Sequence, residues 1–397
     1  MISAHTPVSV VALVGALVAA LASAPAAVTT PRERGVTRTT VTVGGLVAPD
    51  LANAGADLGA RARFARAGRV GGRRIQYLGV ASAADPAAVA RLTTDAFAVV
   101  PAVGVAEPAT VLARAGLPFV GVAADAAWSG NVHGFGITGS AVGARTRQPN
   151  PAWGLQLRAL LGGSKNKGVA IITDDPRFAT SVRRPRRATR PATMQDAGFT
   201  VTKAIVLPQP PAPVEMASTA QALVTSNPAV VLVLASAPTV LALAQQLAAL
   251  GYVGTVATED VLYAPDAPGV GAGLTILVTI APNESGTPAL RRMIADVHAA
   301  DPSAAITPQV VQGYFSADFF LRALARVGTR VTARRFLDAA NRDSFVYEVA
   351  GTIGRSTWPA MHTRAIPCGA LVQGDGTRYV VAEPYRCAAD VTPPAKR

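Results

Sequence analysis

The chain has 397 residues, half of them apolar and only 15% charged, with a net charge of +13. That length exceeds one ordinary core, so two lobes are expected, and the composition excludes a chain disordered along most of its length. The cationic excess raises an anionic partner as a question that the elements themselves must answer.

Residues 8–24 (VSVVALVGALVAALASA) form an apolar run followed by small residues and then Thr29-Thr30-Pro31-Arg32. The run is short for a membrane span and has the small-residue exit of a secretory leader. Cleavage is expected before Ala27, which makes residues 1–26 a signal peptide and the protein extracytoplasmic, periplasmic or at the cell surface. No Lys or Arg precedes the run, and an uncleaved anchor is the alternative. No cysteine lies near the exit, so lipid attachment has no acceptor.

Residues 40–47 (TVTVGGLV) read as the first strand, ending in the loop Ala48-Pro49-Asp50-Leu51, and a helix over 58–67 follows. A Gly71-Gly72 turn then feeds an apolar strand at 75–80. Asp85-Pro86 opens a helix, 96–100 is a buried strand, a further helix ends at Gly116, and 119–122 is again a strand. Strands alternating with helices of this length imply parallel pairing, because parallel neighbours need a crossover of about a dozen residues. Ligands of such sheets lie at the carboxyl ends of the strands. Residues 123–151, with five glycines, read as loop and as a first passage between lobes.

The pattern then repeats. A helix is expected at 153–161 and a strand at 168–173, ending in Asp174-Asp175. Strands at 199–206, 229–234, 253–258 and 274–280 alternate with helices at 216–225, 238–250 and 288–299. Helices at 313–327 and 332–341 follow. Cys368 and Cys387, the only cysteines, flank two β-like runs around Gly374-Asp375-Gly376. In an exported chain a disulfide at the base of that hairpin is expected, closing a loop of roughly 20 residues and contributing about 3 kcal/mol in the chain-entropy model.

Charge is most concentrated at Arg183, Arg184, Arg186, Arg187 and Arg190. No aromatic residues for base stacking lie among them, so no nucleic-acid partner is expected. A solvated face is the first reading, and attraction to an anionic cell surface the second. His5, His133, His298 and His362 fit no metal spacing, and neither a nucleophile elbow nor a phosphate-binding loop is present. The glycines at 269–273 precede a strand, the wrong context for a dinucleotide fingerprint. Asp174-Asp175 and Glu259-Asp260 sit at predicted strand ends, where helix capping competes with contact to a ligand. Adjacent residues on extended chain point to opposite sides, so one member of each pair faces any cleft. No enzyme activity and no cofactor are expected.

The order of elements resembles the type I periplasmic binding proteins of branched-chain amino acid transport. GRVGGRRIQYLGVASAADPAAVARL is similar to that family's Gly-Gly turn, strand and helix, and AVVPAVGVAEPATVLARAGLPFVGV to its strand, pocket loop and following strand. Asn131-Val132 followed by Trp153-Gly154 resembles the approach to the hinge, and GYFSADFFLRALARVG the family's G-Y-D-A helix. The likeness spans 40–385 and implies an α/β fold of two doubly wound, Rossmann-like lobes joined by a multi-strand hinge. On that pattern the first lobe takes 40–147 and 276–345, the second 148–275 and 346–390. It further implies a small solute captured by hinge closure and delivered to an ABC permease in the membrane, a ligand-sensing ectodomain being the alternative. Carried over by position, the pocket loops are 101–105, with Pro101, Val103 and Gly104, and 122–125, with Ala123 and Asp125. Phe178 falls where an aromatic covers the ligand, and Ser236 and Glu259 on loops that meet its polar end. Hydroxyls common in the family at the first two loops are absent, so an apolar, neutral or cationic solute is weighed beside an amino acid.

Overall fold

In a computed structural model of the chain, the alternating pattern closes into two separate, mainly parallel sheets. The structure describes residues 33–49, 55–140, 142, 150–175, 177–178 and 194–388. The leader-like run at 8–24 and the arginines at 183–190 lie outside those residues, as do Asp50 and Leu51.

The first sheet contains β1 (Thr40–Val47), β2 (Arg69–Val70), β3 (Arg73–Ser82), β4 (Ala98–Val103), β5 (Phe119–Ala123) and β6 (Gly134–Ser140), ordered β2-β3-β1-β4-β5-β6. All pairings are parallel except that of β2 with β3. That hairpin turns on Gly71 and Gly72, both at positive φ, a geometry that glycine adopts without a Cβ penalty. Helices α1 (Gly55–Ala65), α2 (Pro86–Asp95) and α3 (Ala106–Arg114) supply the crossovers. The carboxylate of Asp85 accepts from the Ala87 backbone N–H at 2.9 Å, which fixes where α2 begins.

Strand β6 falls in the stretch expected to be loop. It is nearly all buried, and Gly134, Gly136 and Gly139 weaken its strand-like pattern. A Cβ at Gly134 would come within 2.4 Å of the Phe119 ring, so the glycine answers to packing and not to a turn.

The second sheet holds β7 (Gly168–Thr173), β8 (Thr200–Val206), β9 (Val230–Leu234), β10 (Thr255–Glu259), β11 (Thr275–Val278), β14 (Cys368–Gly374) and β15 (Tyr379–Cys387), ordered β15-β14-β11-β10-β9-β7-β8. Helix α4 (Pro151–Leu160) packs on β14 and β15, and α5 (Pro213–Ser226) against α6 (Ala237–Ala249). In the hairpin β14–β15, Cys368 and Cys387 are register partners and are joined by a disulfide.

Three later helices return to the first sheet: α7 (Pro288–Ala300), α8 (Pro308–Val327) and α9 (Ala333–Ala340). Helix α8 begins five residues before the expected start at 313, because Thr307 caps it through the Val310 N–H and Pro308 occupies its first turn. A small hairpin, β12 (Val346–Val349) with β13 (Ile353–Thr357), completes this lobe. Its Tyr347 and Ile353, with Trp358 and Ile366, are buried in one core with Phe135, Phe319 and Phe336. Residues 346–366, which the sequence pattern assigns to the second lobe, thus bury their apolar side chains in the first. His362 is buried there beside the Trp358 ring, with Nδ1 at 3.0 Å from the Gly134 carbonyl oxygen, and burial lowers its pKa to about 4.

The chain passes between the sheets three times. The passage after β6 pairs with the last one, since the Ser140 N–H donates to the Arg364 carbonyl and the Ile366 N–H to the Thr138 carbonyl. The middle passage follows β11. It is reached from the second sheet by the Tyr385 hydroxyl, which lies 3.3 Å from the Thr279 carbonyl and accepts from the Gly354 N–H.

Helices α1 and α8 cross with their backbones almost touching. A Cβ on Gly313 would lie 2.1 Å from the Ala56 carbonyl oxygen, and one on Gly59 would lie 2.0 Å from that of Val310. Substituting Gly313→Val should therefore destabilise the protein by about 2–3 kcal/mol, read as a lower urea midpoint with an unchanged slope. Wild-type stability in that variant would show that the helices separate at no cost.

Candidate functional site

Each sheet has one point at which successive strands depart in opposite directions, and the loops there open a crevice. In the first sheet it lies between β1 and β4, in the second between β7 and β9. The first crevice is spanned by a backbone hydrogen bond from Ala48 N–H to the Val103 carbonyl at 2.9 Å.

The second crevice is filled by a polar network. Asp174, just past β7, is buried. One of its oxygens, Oδ2, accepts from the Ser236 N–H at 3.0 Å, the Ser236 hydroxyl at 2.8 Å and the Thr239 hydroxyl at 3.2 Å. These donors stand at the start of α6, where a carboxylate is also favoured by the helix dipole. Ser236, expected to meet a ligand, therefore holds Asp174.

The expected residues of the first lobe lie on their loops as placed by the sequence. Pro101 and Val103 are buried at the end of β4, Val103 against Val47 and Ala56, and Gly104 follows at positive φ. Ala123 ends β5. Asp125 caps the short helical turn Ala126–Trp128, its carboxylate accepting from the Ala127 N–H at 2.9 Å. In the second lobe the Arg177 guanidinium makes three hydrogen bonds to the Asp175 carboxylate, of 2.8–3.1 Å, and the Arg177 backbone N–H a fourth at 2.9 Å. The Asp175 carboxylate holds the Arg177 guanidinium above its usual pKa, and the charge of Asp125 adds to that effect. Loops of the two lobes thus lie within electrostatic reach of each other. Phe178, expected over a ligand, is instead fully buried in the second lobe's core with Trp153, Leu157 and Met194.

A cavity of about 60 Å³ lies where the two sheets meet beside the middle passage. Val122 and Ile137 wall it from the first sheet, Val278 and Tyr263 from the second, and Pro308, Val311 and Gln312 from the start of α8. Thr138, Asp260 and Asn283 add polar groups to a mostly apolar lining. None of the eight expected contact residues lines it, but Val122 and Asp260 are the chain neighbours of the expected Ala123 and Glu259. Tyr263 bridges the lobes at its rim: the hydroxyl donates to Glu284 Oε2 at 2.7 Å and accepts from the Asn283 N–H at 2.9 Å. Burial, then the Glu284 charge, push its pKa far up, so the phenol stays a donor. Among the described residues no group of His, Cys, Asp and Glu is placed to hold a metal ion.

Two doubly wound sheets, three passages and a cavity between their carboxyl ends define a type I periplasmic binding protein. The chain belongs to that family, whose model, described as periplasmic binding protein, matches residues 39–378. No curated protein matches the sequence. Among solved structures, the chain is similar to a fatty acid ABC transporter substrate-binding protein from Thermomonospora curvata, with 16% identity, a TM-score of 0.63 and coverage of 91% of this chain and 95% of the other. A solute-binding protein from R. palustris in complex with benzoate shows 18% identity and a TM-score of 0.58, over 88% and 98% of the two chains. A leucine-binding protein from Thermotoga maritima shows 12% identity and a TM-score of 0.61, over 88% and 99%.

Asp174→Ala should remove an acceptor shared by three donors and cost about 2 kcal/mol of stability in urea unfolding, because buried donors are left unpaired. Unchanged stability would show that water satisfies those groups and that the network does not bind the second crevice.

Proposed function

We propose that this chain is the extracytoplasmic solute-binding protein of an ABC importer, and not an enzyme. It holds a small solute between its lobes and presents the closed form to a membrane permease. The observation that carries this reading is the cavity shared by both sheets at the carboxyl ends of their strands. Solved proteins of the same fold described as binding leucine, a fatty acid or benzoate support it.

The lining chemistry favours a solute with a small apolar body. Val122, Ile137, Val278, Ile280 and Val311 offer hydrocarbon surface, whereas Thr138, Asn283 and Gln312 offer neutral hydrogen-bonding groups. Among the described residues the lining carries hydroxyls of Thr138, Thr279 and Tyr263 and the carboxylate of Asp260 but no Lys or Arg, so a solute carboxylate finds no cationic partner there. A charge buried without partners costs several kcal/mol, so a neutral amide or an aromatic solute ranks beside an amino acid. At about 60 Å³ the cavity has far less room than the roughly 300–1,000 Å³ typical of ligand pockets. The lobes therefore part to admit a solute, swinging about the three passages.

A thermal-shift panel of amino acids, amides, aromatic acids and short fatty acids tests the reading. A true solute present at about 100 times its Kd should add about 2.7 kcal/mol of stability. Val122→Trp, which fills the cavity, should abolish that gain while leaving the unliganded melting temperature within a few degrees. Absence of any stabilising solute, or a gain that survives Val122→Trp, contradicts this reading.

A further inference from the structure

On the outer side of the first lobe, away from the cavity, the end of α8 and the whole of α9 border a groove of about 370 Å³. Arg326, Arg334, Arg335 and Arg342 line it, with Asp338 as the one acidic group. All five side chains are exposed. No ion pair involves any of these arginines among the described residues. The arginines stand on an anchored helix, since Phe336 and Ala340 on the opposite face of α9 are buried in the first core and Thr332 caps the helix through the Arg335 N–H. Four cationic side chains are thus held together at the surface around a single carboxylate, which leaves a net positive patch that attracts anions.

We infer that this groove docks the protein onto a membrane surface by binding the phosphoglycerol headgroup of an anionic lipid. Guanidinium groups match phosphate oxygens in paired hydrogen bonds, and Asp338 is placed to accept from hydroxyls beside the phosphate. The shallowness of the site argues for a surface. A pocket for a free solute buries most of its ligand, whereas these side chains stand in water. Charge complementarity extends beyond the groove, because the whole chain carries +13. Docking through the outer side of one lobe leaves the cavity between the lobes open to solute. The inference does not depend on which solute that cavity takes.

Co-sedimentation of the full chain with vesicles of phosphatidylcholine alone, and of phosphatidylcholine mixed with phosphatidylglycerol, tests it. Residues 8–24 add the same apolar affinity to both, so the ratio between the two lipids is the readout. The wild-type chain should prefer the phosphatidylglycerol vesicles. Arg334→Glu/Arg335→Glu should reduce that preference by about tenfold or more, and the neutral pair Arg334→Gln/Arg335→Gln by less. Arg114→Glu/Arg158→Glu changes net charge equally at exposed sites elsewhere and should leave most of the preference intact. Equal losses in the groove pair and this distant pair would overturn the inference in favour of net charge alone. Glycerol 1-phosphate should compete only weakly. Tight binding of that free anion, without vesicles, would overturn the membrane assignment and make the groove a soluble-anion site.

Discussion

Asn150 joins the two lobes at a single buried amide. Its Nδ2 donates to the carbonyls of Ile366, at 3.1 Å, and Cys368, at 2.9 Å, while its Oδ1 accepts from the Ala152 N–H and starts α4. The first and last passages between the sheets are therefore tied together where both enter the second lobe. Gln156, one turn further along α4, adds a bond to the Pro384 carbonyl and a contact to that of Gly369. The Asn150 amide is thereby fully used, which matters because a buried unpaired donor costs as much as a lost hydrogen bond. Everything attributed to the cavity depends on this junction, since it sets where the lobes meet and about which strip they can turn.

Much of the fold was legible in the sequence because parallel βα units repeat two simple signals, an apolar strand and a capped helix. Asp85-Pro86 and Gly71-Gly72 did what their chemistry predicts. Strand β6 was hidden because its three glycines read as loop, yet each is required by a close approach: to the Phe119 ring, to Ala123, and to the Arg364 carbonyl. The hairpin β12–β13 was placed with the wrong neighbours for a different reason. Four-residue and five-residue strands carry no signal of which core they bury into, and only the shared packing of Tyr347 and Trp358 with Phe135 and Phe319 reveals it.

The candidate site was legible as loops but not as side chains. Position along the relay identifies the loops after β4, β5 and β10. Strand alternation then decides which member of each pair turns inward, and Val122 and Asp260 reach the cavity where Ala123 and Glu259 do not. The contributions of Pro308, Val311 and Gln312 come from a helix start remote in sequence, which no local motif connects to the strand ends. Ser236 and Phe178, residue types suited to ligand contact, are engaged by a helix start and by a core, which no local pattern announces. The missing hydroxyls of the first two loops already set an apolar, neutral or cationic solute beside an amino acid, and the lining of the cavity is mostly apolar.

The proposed function requires the lobes to turn about the three passages and close on a solute. Small-angle X-ray scattering of the protein, with and without a solute that raises its melting temperature, tests this directly. A smaller radius of gyration and a shorter maximum dimension are expected when the solute saturates the protein, with the bound profile approaching that calculated from this structure. Superimposable profiles for the free and saturated protein would contradict it.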